Sequence, residues 1–204
     1  MADDRASYDS ASYDTGSYDS NSGDKGQPLD RAANLLGALS LVIADRMADV
    51  MAEAGGRPES GAAMLSALLH FLDRPSVDLL RQVLGLTSSG TVRLVDRLAE
   101  AGYVRRGPGA DGRSVSVELT GQGRKAAQAV AAARAGVLGG ALATLSPAER
   151  ETFEQLMSKM LIGMIRAPGA TRWICRLCDT GTCRGAPGGC PVGNAARQRY
   201  LSGD

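Results

Sequence analysis

Aromatic side chains are scarce in this 204-residue chain: two Phe, one Trp and five Tyr, 4% in all. That scarcity argues against a sheet-rich core. The 44% of residues that are apolar have to pack largely as Ala, Leu, Val and Met, which favour helices. Histidine is nearly missing. With His70 the only one, no Ser/His/Asp or Cys/His set is available, and there is no phosphate-cradling glycine loop, so an enzyme is not expected. No apolar run approaches the roughly 18–20 residues that span a bilayer. The opening stretch is acidic and polar, the reverse of a secretory signal. The expectation is a soluble, cytoplasmic protein with no membrane partner. Lysine is rare as well: Arg outnumbers Lys 20 to 3, a bias that GC-rich codons or phosphate-binding forks would each produce.

What is present is unevenly distributed. The net charge is +1, but residues 1–30 hold seven Asp against Arg5 and Lys25, while the rest of the chain carries an excess of six basic groups. Opposite signs in tail and body suggest a polyanion-binding body with an acidic appendage. Residues 1–28 repeat "SYDSA", "SYDTG", "SYDSN", a composition that predicts disorder.

From Asp30 the period becomes helical. Leu35, Leu39, Val42, Met47, Val50 and Met51 mark a first helix, ended by "AGGRP". A second is expected over Glu59 to Leu72. After Pro75, Ser76 caps the short helix "VDLLRQVL", Gly85-Leu86 turns, and Thr87 caps a fourth helix with Val92, Val95 and Leu98 assigned to its inner face. Gly102 ends that helix in the left-handed conformation. "YVRR" and "SVSVEL", joined by "GPGADGR", read as a β-hairpin with an extended tip. Thr120 caps a long Ala-rich helix, and Ser146-Pro147-Ala148-Glu149 is a capping box opening another. The methionines fit core or dimer packing, or the lining of an adaptable pocket. His70, at the end of an apolar helical face, reads as a core histidine before a metal ligand.

Helix, glycine turn, helix and hairpin make a winged helix-turn-helix, mainly α with a two-stranded β wing. Its chemistry is recognition. The second helix enters the major groove with its N-terminal residues toward the base edges, here Ser88, Ser89, Gly90, Thr91 and Arg93. Arg93 has the fork for guanine; Arg97, one turn on, suits phosphate. The hairpin adds Arg105 and Arg106, and its tip carries Arg113, suited to the narrow minor groove, with Asp111 to orient it. The net charge of this region is modest, so tight binding calls for two copies of the surface.

The stretch "LTSSGTVRLVDRLAEAGYVRRGPGADGRSVSVELTGQG" resembles the DNA-binding core of the MarR family of transcriptional regulators, most specifically in "DGRSVSVELTGQG", with its Asp-x-Arg and Leu-Thr-x-x-Gly. The resemblance spans roughly Asp30 to Arg166. It implies a homodimer held by the N-terminal helix (30–54) and the helices of 120–166, around a helix-turn-helix and wing at 76–119 within a domain of 29–166. It also implies a palindromic double-stranded DNA operator, probable-repressor behaviour of the kind the family shows, and control by a small phenolic effector or by cysteine oxidation. Under it, Asp111 and Arg113 are the wing's salt-bridged pair and minor-groove arginine.

Residues 167–204 depart from that pattern. Every cysteine lies there, as C-x2-C-x4-C-x6-C: Cys175, Cys178, Cys183 and Cys190. In a reducing compartment such clustering reads as metal-binding or redox-active before structural disulfide. Four thiolates suit tetrahedral zinc; the Cys-Pro ending equally suits an iron–sulfur cluster. A metal-free thiol switch and idle thiols remain alternatives. Gly181, Gly185, Gly188 and Gly189 would let the loop wrap an ion. The tail's Arg172, Arg176, Arg184, Arg197 and Arg199 would add phosphate contacts.

Overall fold

The computed structural model describes residues 30–55, 59–109, 114–167, 169–186 and 188–200. The acidic repeat, and Asp111 and Arg113 at the wing tip, lie outside them. The chain divides into two compact units, residues 1–37 and 38–204. Of the first, the described part is the opening of helix α1 (Arg31–Gly55), where Asp30 Oδ1 accepts from Ala33 N at 2.6 Å.

In the second unit α1 continues and is followed by α2 (Glu59–His70), α3 (Val77–Leu84), α4 (Ser88–Glu100), β1 (Val104–Pro108), β2 (Val115–Leu119), α5 (Gly121–Leu142) and α6 (Pro147–Gly163). Three short helices then occupy the tail: α7 (Ala170–Ile174), α8 (Thr180–Gly185) and α9 (Pro191–Tyr200). The architecture is therefore mainly α with a two-stranded antiparallel wing, the fold class expected. No single described helix is long and apolar enough to cross a membrane.

The main core gathers Met64, Leu65 and Leu68 of α2, Leu80 of α3, Leu94, Val95 and Leu98 of α4, Val104 and Val117 of the wing, and Ala127 of α5. It is aliphatic, as the shortage of aromatics requires. A smaller cluster joins Met51 of α1 to Ala62 and Val130. Another, of Ile165, Ala170, Val192 and Ala196, ties the end of α6 to the tail helices. The tail is thus packed structure, where only a metal-wrapping loop had been expected, because apolar residues of α7 and α9 have a surface to bury against.

Two junctions hold the wing. β1 and β2 pair from Val104 with Leu119 to Pro108 with Val115, and Val117 N donates to Pro75 O at 3.0 Å, fixing the hairpin to the α2–α3 connection. At the other end Thr120 Oγ1 donates to Gly102 O at 2.6 Å and accepts from Gly123 N at 2.9 Å. One hydroxyl so clamps the α4–β1 turn to the start of α5. Gly123 is needed there: a Cβ on it would lie 1.7 Å from Tyr103 O.

Candidate nucleic-acid interface

The helix-turn-helix is built by local signals. Ser76 Oγ accepts from Leu79 N at 3.2 Å to start α3. Gly85, at φ +64°, ends it in the left-handed region that glycine adopts without strain. Thr87 Oγ1 accepts from Gly90 N at 3.1 Å to start α4. Gly102, at φ +74°, then turns the chain into the wing.

Along α4 the buried stripe is Thr91, Leu94, Val95 and Leu98, spaced as one helical face. Thr91 is fully buried and its Oγ1 donates to Thr87 O at 3.0 Å. This side chain braces the turn and has no path to a base. The inner-face assignment of Val92 is also corrected: it is 42% exposed, because Leu94 takes the inward place. The outer face presents Ser88, Ser89, Val92, Arg93 and Arg97, with Gly90 half-buried at its edge. Arg93 Nε donates to Ser89 O at 3.2 Å, which lays the side chain along that face.

The wing's arginines are engaged. Arg106 Nη2 is 2.6 Å from Asp96 Oδ1, bridging β1 to α4, and Arg105 Nε is 3.2 Å from Glu118 Oε1 across the hairpin. Both arginines are largely exposed, and ion pairs this open contribute little to stability, so phosphate competes for them at small cost. Arg74, which sequence periodicity did not single out, stands beside the wing: its Nη2 lies 3.9 Å from where a Cβ on Gly107 would be. Its φ of +47° is the only positive value at a non-glycine among the described residues, an uncommon conformation there. The strain of the residue before Pro75 was the only available signal.

The cysteines sit at four stations of the tail. Cys175 ends α7, Cys178 lies in the following turn, Cys183 is inside α8 and Cys190 precedes α9. Gly188 and Gly189, at φ +80° and +68°, turn the chain between the last two, while Gly181 and Gly185 are helical. Cys190 Sγ accepts from Gly193 N at 3.3 Å. The Cys175 and Cys178 thiols share a hydrogen bond, as do those of Cys183 and Cys190. Cys175 is raised in pKa by that bond, by burial, and by the charges of Cys178, Cys190 and Cys183. Cys178 is the ionising partner, brought down to about 6 by the Cys175 thiol and, against burial, by Arg134 and Arg176. Burial, then the charges of Cys190 and Cys178, push Cys183 up. No three His, Cys, Asp or Glu side chains among the described residues are drawn into a ready metal-binding group.

The tail lies against the reading head. α7 packs on α3, and Trp173 Nε1 is 3.4 Å from the position of a Cβ on Gly85. Thr180 Oγ1 donates to His70 O at 2.8 Å, and His70 Nδ1 is 3.5 Å from Asp179 Oδ1. The lone histidine is therefore a seam residue between α2 and the tail. Arg199 Nη1 donates to Ile165 O at 2.9 Å, linking α9 back to the end of α6.

A buried helical frame, a glycine-turned helix pair and an antiparallel hairpin define a winged helix-turn-helix protein. Residues 62–114 match the model of the MarR family. The chain is similar in structure to a MarR-family transcriptional regulator from Rhodococcus sp. RHA1, at 18% identity and TM-score 0.54, over 66% of this chain and 96% of that one. It is similar to MepR, a transcription regulator of the Staphylococcus aureus multidrug efflux pump MepA, at 19% identity and TM-score 0.54, over 64% and 96%. It is also similar to the Mycobacterium tuberculosis MarR family protein RV2887 in complex with p-aminosalicylic acid, at 22% identity and TM-score 0.50, over 66% and 98%. No curated protein matches the sequence.

Proposed function

We propose that the chain is a transcriptional regulator that binds double-stranded DNA as a homodimer on a palindromic operator, acting there as a repressor. The observation that carries this reading is the outer face of α4: Ser88, Ser89, Val92, Arg93 and Arg97 project from a helix whose opposite face is sealed in the core. In the major groove Arg93 pairs with a guanine edge and Val92 meets a thymine methyl, a contact open only because this valine faces out. Gly90 lets the helix approach closely. Arg97, Arg105, Arg106 and Arg74 hold phosphates, and Arg113, oriented by Asp111, takes the minor groove.

Two copies are required because one such surface is small and weakly charged. α1 exposes Leu39, Leu41 and Val42, and α6 exposes Leu156, Met157, Met160 and Met164. Apolar rows of this kind on the helices flanking the reading head suit burial in a partner copy, and twofold symmetry then dictates inverted half-sites about one DNA turn apart. The p-aminosalicylic acid complex of the similar RV2887 protein supports a small aromatic effector as one input.

The test is selection of bound sequences by the purified full chain, then titration of the selected duplex against salt. An inverted repeat and a steep loss of affinity with salt are expected. Arg93→Ala should cost about 1–3 kcal/mol and relax preference at a single base position. A monomeric chain that ignores every duplex at low salt ends this reading.

A further inference from the structure

We propose that Cys175, Cys178, Cys183 and Cys190 are the ligands of a tetrathiolate metal centre that locks the tail onto the turn of the helix-turn-helix. Three observations carry it. First, thiols from four stations on three helices and a turn converge. They are joined in two hydrogen-bonded pairs, and the charges of Cys178, Cys183 and Cys190 all act on Cys175. Burial of that many thiols in so short a span has no packing rationale, since the adjoining apolar cluster is complete with Ile165, Ala170, Val192 and Ala196 and takes only Cys190 from among them at its edge.

Second, the surroundings are those of an anionic centre. Four thiolates around one divalent ion carry a net double negative charge. Arg134 of α5 and Arg176 both act on Cys178. Arg134 Nε is sealed from solvent with no hydrogen-bond partner, the only such buried side-chain nitrogen or oxygen among the described residues. A buried guanidinium N–H left unpaired is costly, and an adjacent thiolate centre gives it an acceptor. The Gly193 N–H already points at Cys190 Sγ, as backbone donors do at metal thiolates.

Third, the centre would sit where it acts. Trp173, two residues before Cys175, abuts Gly85, and Thr180, between Cys178 and Cys183, bonds to the end of α2. Loading replaces thiol protons with metal–sulfur bonds and releases those protons to solvent. It thereby fixes α7 and α8 relative to each other, and with them the pressure of Trp173 on the α3–α4 turn. The coupling to DNA rests on the regulator reading above; the metal centre does not.

The experiment is anaerobic purification of the full chain with quantification of zinc, iron and acid-labile sulfide, beside a variant with all four cysteines replaced by serine. One zinc per chain and no colour identifies zinc; iron with sulfide and a brown, reducible absorption identifies a cluster. Either supports the centre, provided the serine variant loses it. A folded wild-type chain that holds neither, and takes up neither zinc nor cobalt(II), overturns it. Chelator-stripped and reloaded protein are then compared through fluorescence of Trp173, the only tryptophan, and through affinity for the selected duplex. Stripping should change the emission and weaken DNA binding by about 5- to 150-fold. Equal affinity in the two forms, with the metal demonstrably bound and removed, overturns the coupling and leaves both the centre and the regulator reading standing. Arg134→Gln should keep the four ligands and lower metal affinity; unchanged retention against a competing chelator counts against the anionic centre.

Discussion

Gly121 and Gly123 both open α5, two residues apart, yet alanine should act on them in opposite directions. At Gly121 a Cβ meets nothing within 4 Å, so Gly121→Ala should stabilise by about 0.4–1 kcal/mol through the unfolded chain. At Gly123 the same carbon lands 1.7 Å from Tyr103 O and 2.7 Å from Tyr103 C. Non-bonded heavy atoms rest about 3.5 Å apart, so the two backbones have to separate by about 2 Å. The separation strains the clamp in which Thr120 N donates to Tyr103 O at 3.0 Å and Thr120 Oγ1 to Gly102 O at 2.6 Å. Two hydrogen bonds at about 1 kcal/mol each and overpacking at about 1–3 kcal/mol put the cost near 3–5 kcal/mol. Domains of this kind hold about 5–15 kcal/mol in all. Urea unfolding followed by helical circular dichroism reads both variants, with an unchanged slope certifying comparable end states. A Gly123→Ala protein within about 1 kcal/mol of the parent would refute the close approach of Tyr103, and with it the account of how the wing is anchored.

Thr91→Val keeps the shape of a fully buried side chain while losing its bond to Thr87 O, which Thr91 N still satisfies. Stability should fall by about 1 kcal/mol with base preference at the operator unchanged, whereas a shift in the selected sequence would return Thr91 to the reading face. Arg97→Ala and Arg105→Ala should each lower the salt slope of DNA binding by about 1 without altering sequence preference, measured by titration at several salt concentrations. Ser146→Ala removes the cap of α6 and should cost about 1 kcal/mol. The Ser146 hydroxyl holds the Glu149 carboxyl below its ordinary pKa. A depressed folded value means the carboxylate's contribution is present above the unfolded pKa and lost as pH falls through the folded one. The gap between parent and variant should therefore narrow in acid, and a gap that widens there contradicts the capping geometry.

Most of the reading head was legible because its signals are local. Ser76, Thr87, Thr120 and Ser146 each cap the helix assigned to them, and Gly85 and Gly102 take the left-handed angles their positions called for. Capping needs only a hydroxyl and the next three residues, so it survives without tertiary information. Facing does not. In α4 a stripe through Val92, Val95 and Leu98 and one through Thr91, Leu94, Val95 and Leu98 differ by about one residue's rotation, 100°, and polarity alone favours valine over threonine inside. The core chose otherwise because Thr91 satisfies its hydroxyl on Thr87 O.

The tail was least legible for a related reason. α7 and α8 span five and six residues, too short to be stable alone, and glycine and proline punctuate the segment. Their order is supplied from outside, by Trp173 against Gly85, Thr180 on His70 and Arg199 on Ile165. A segment with so little helical preference of its own has shallow local minima, so a few added bonds among its side chains reset its shape more readily than they would deform the aliphatic core. Cysteine at four places in that one segment, and nowhere in the core it touches, puts the bond-forming groups where bonds have the most effect on the turn beneath them.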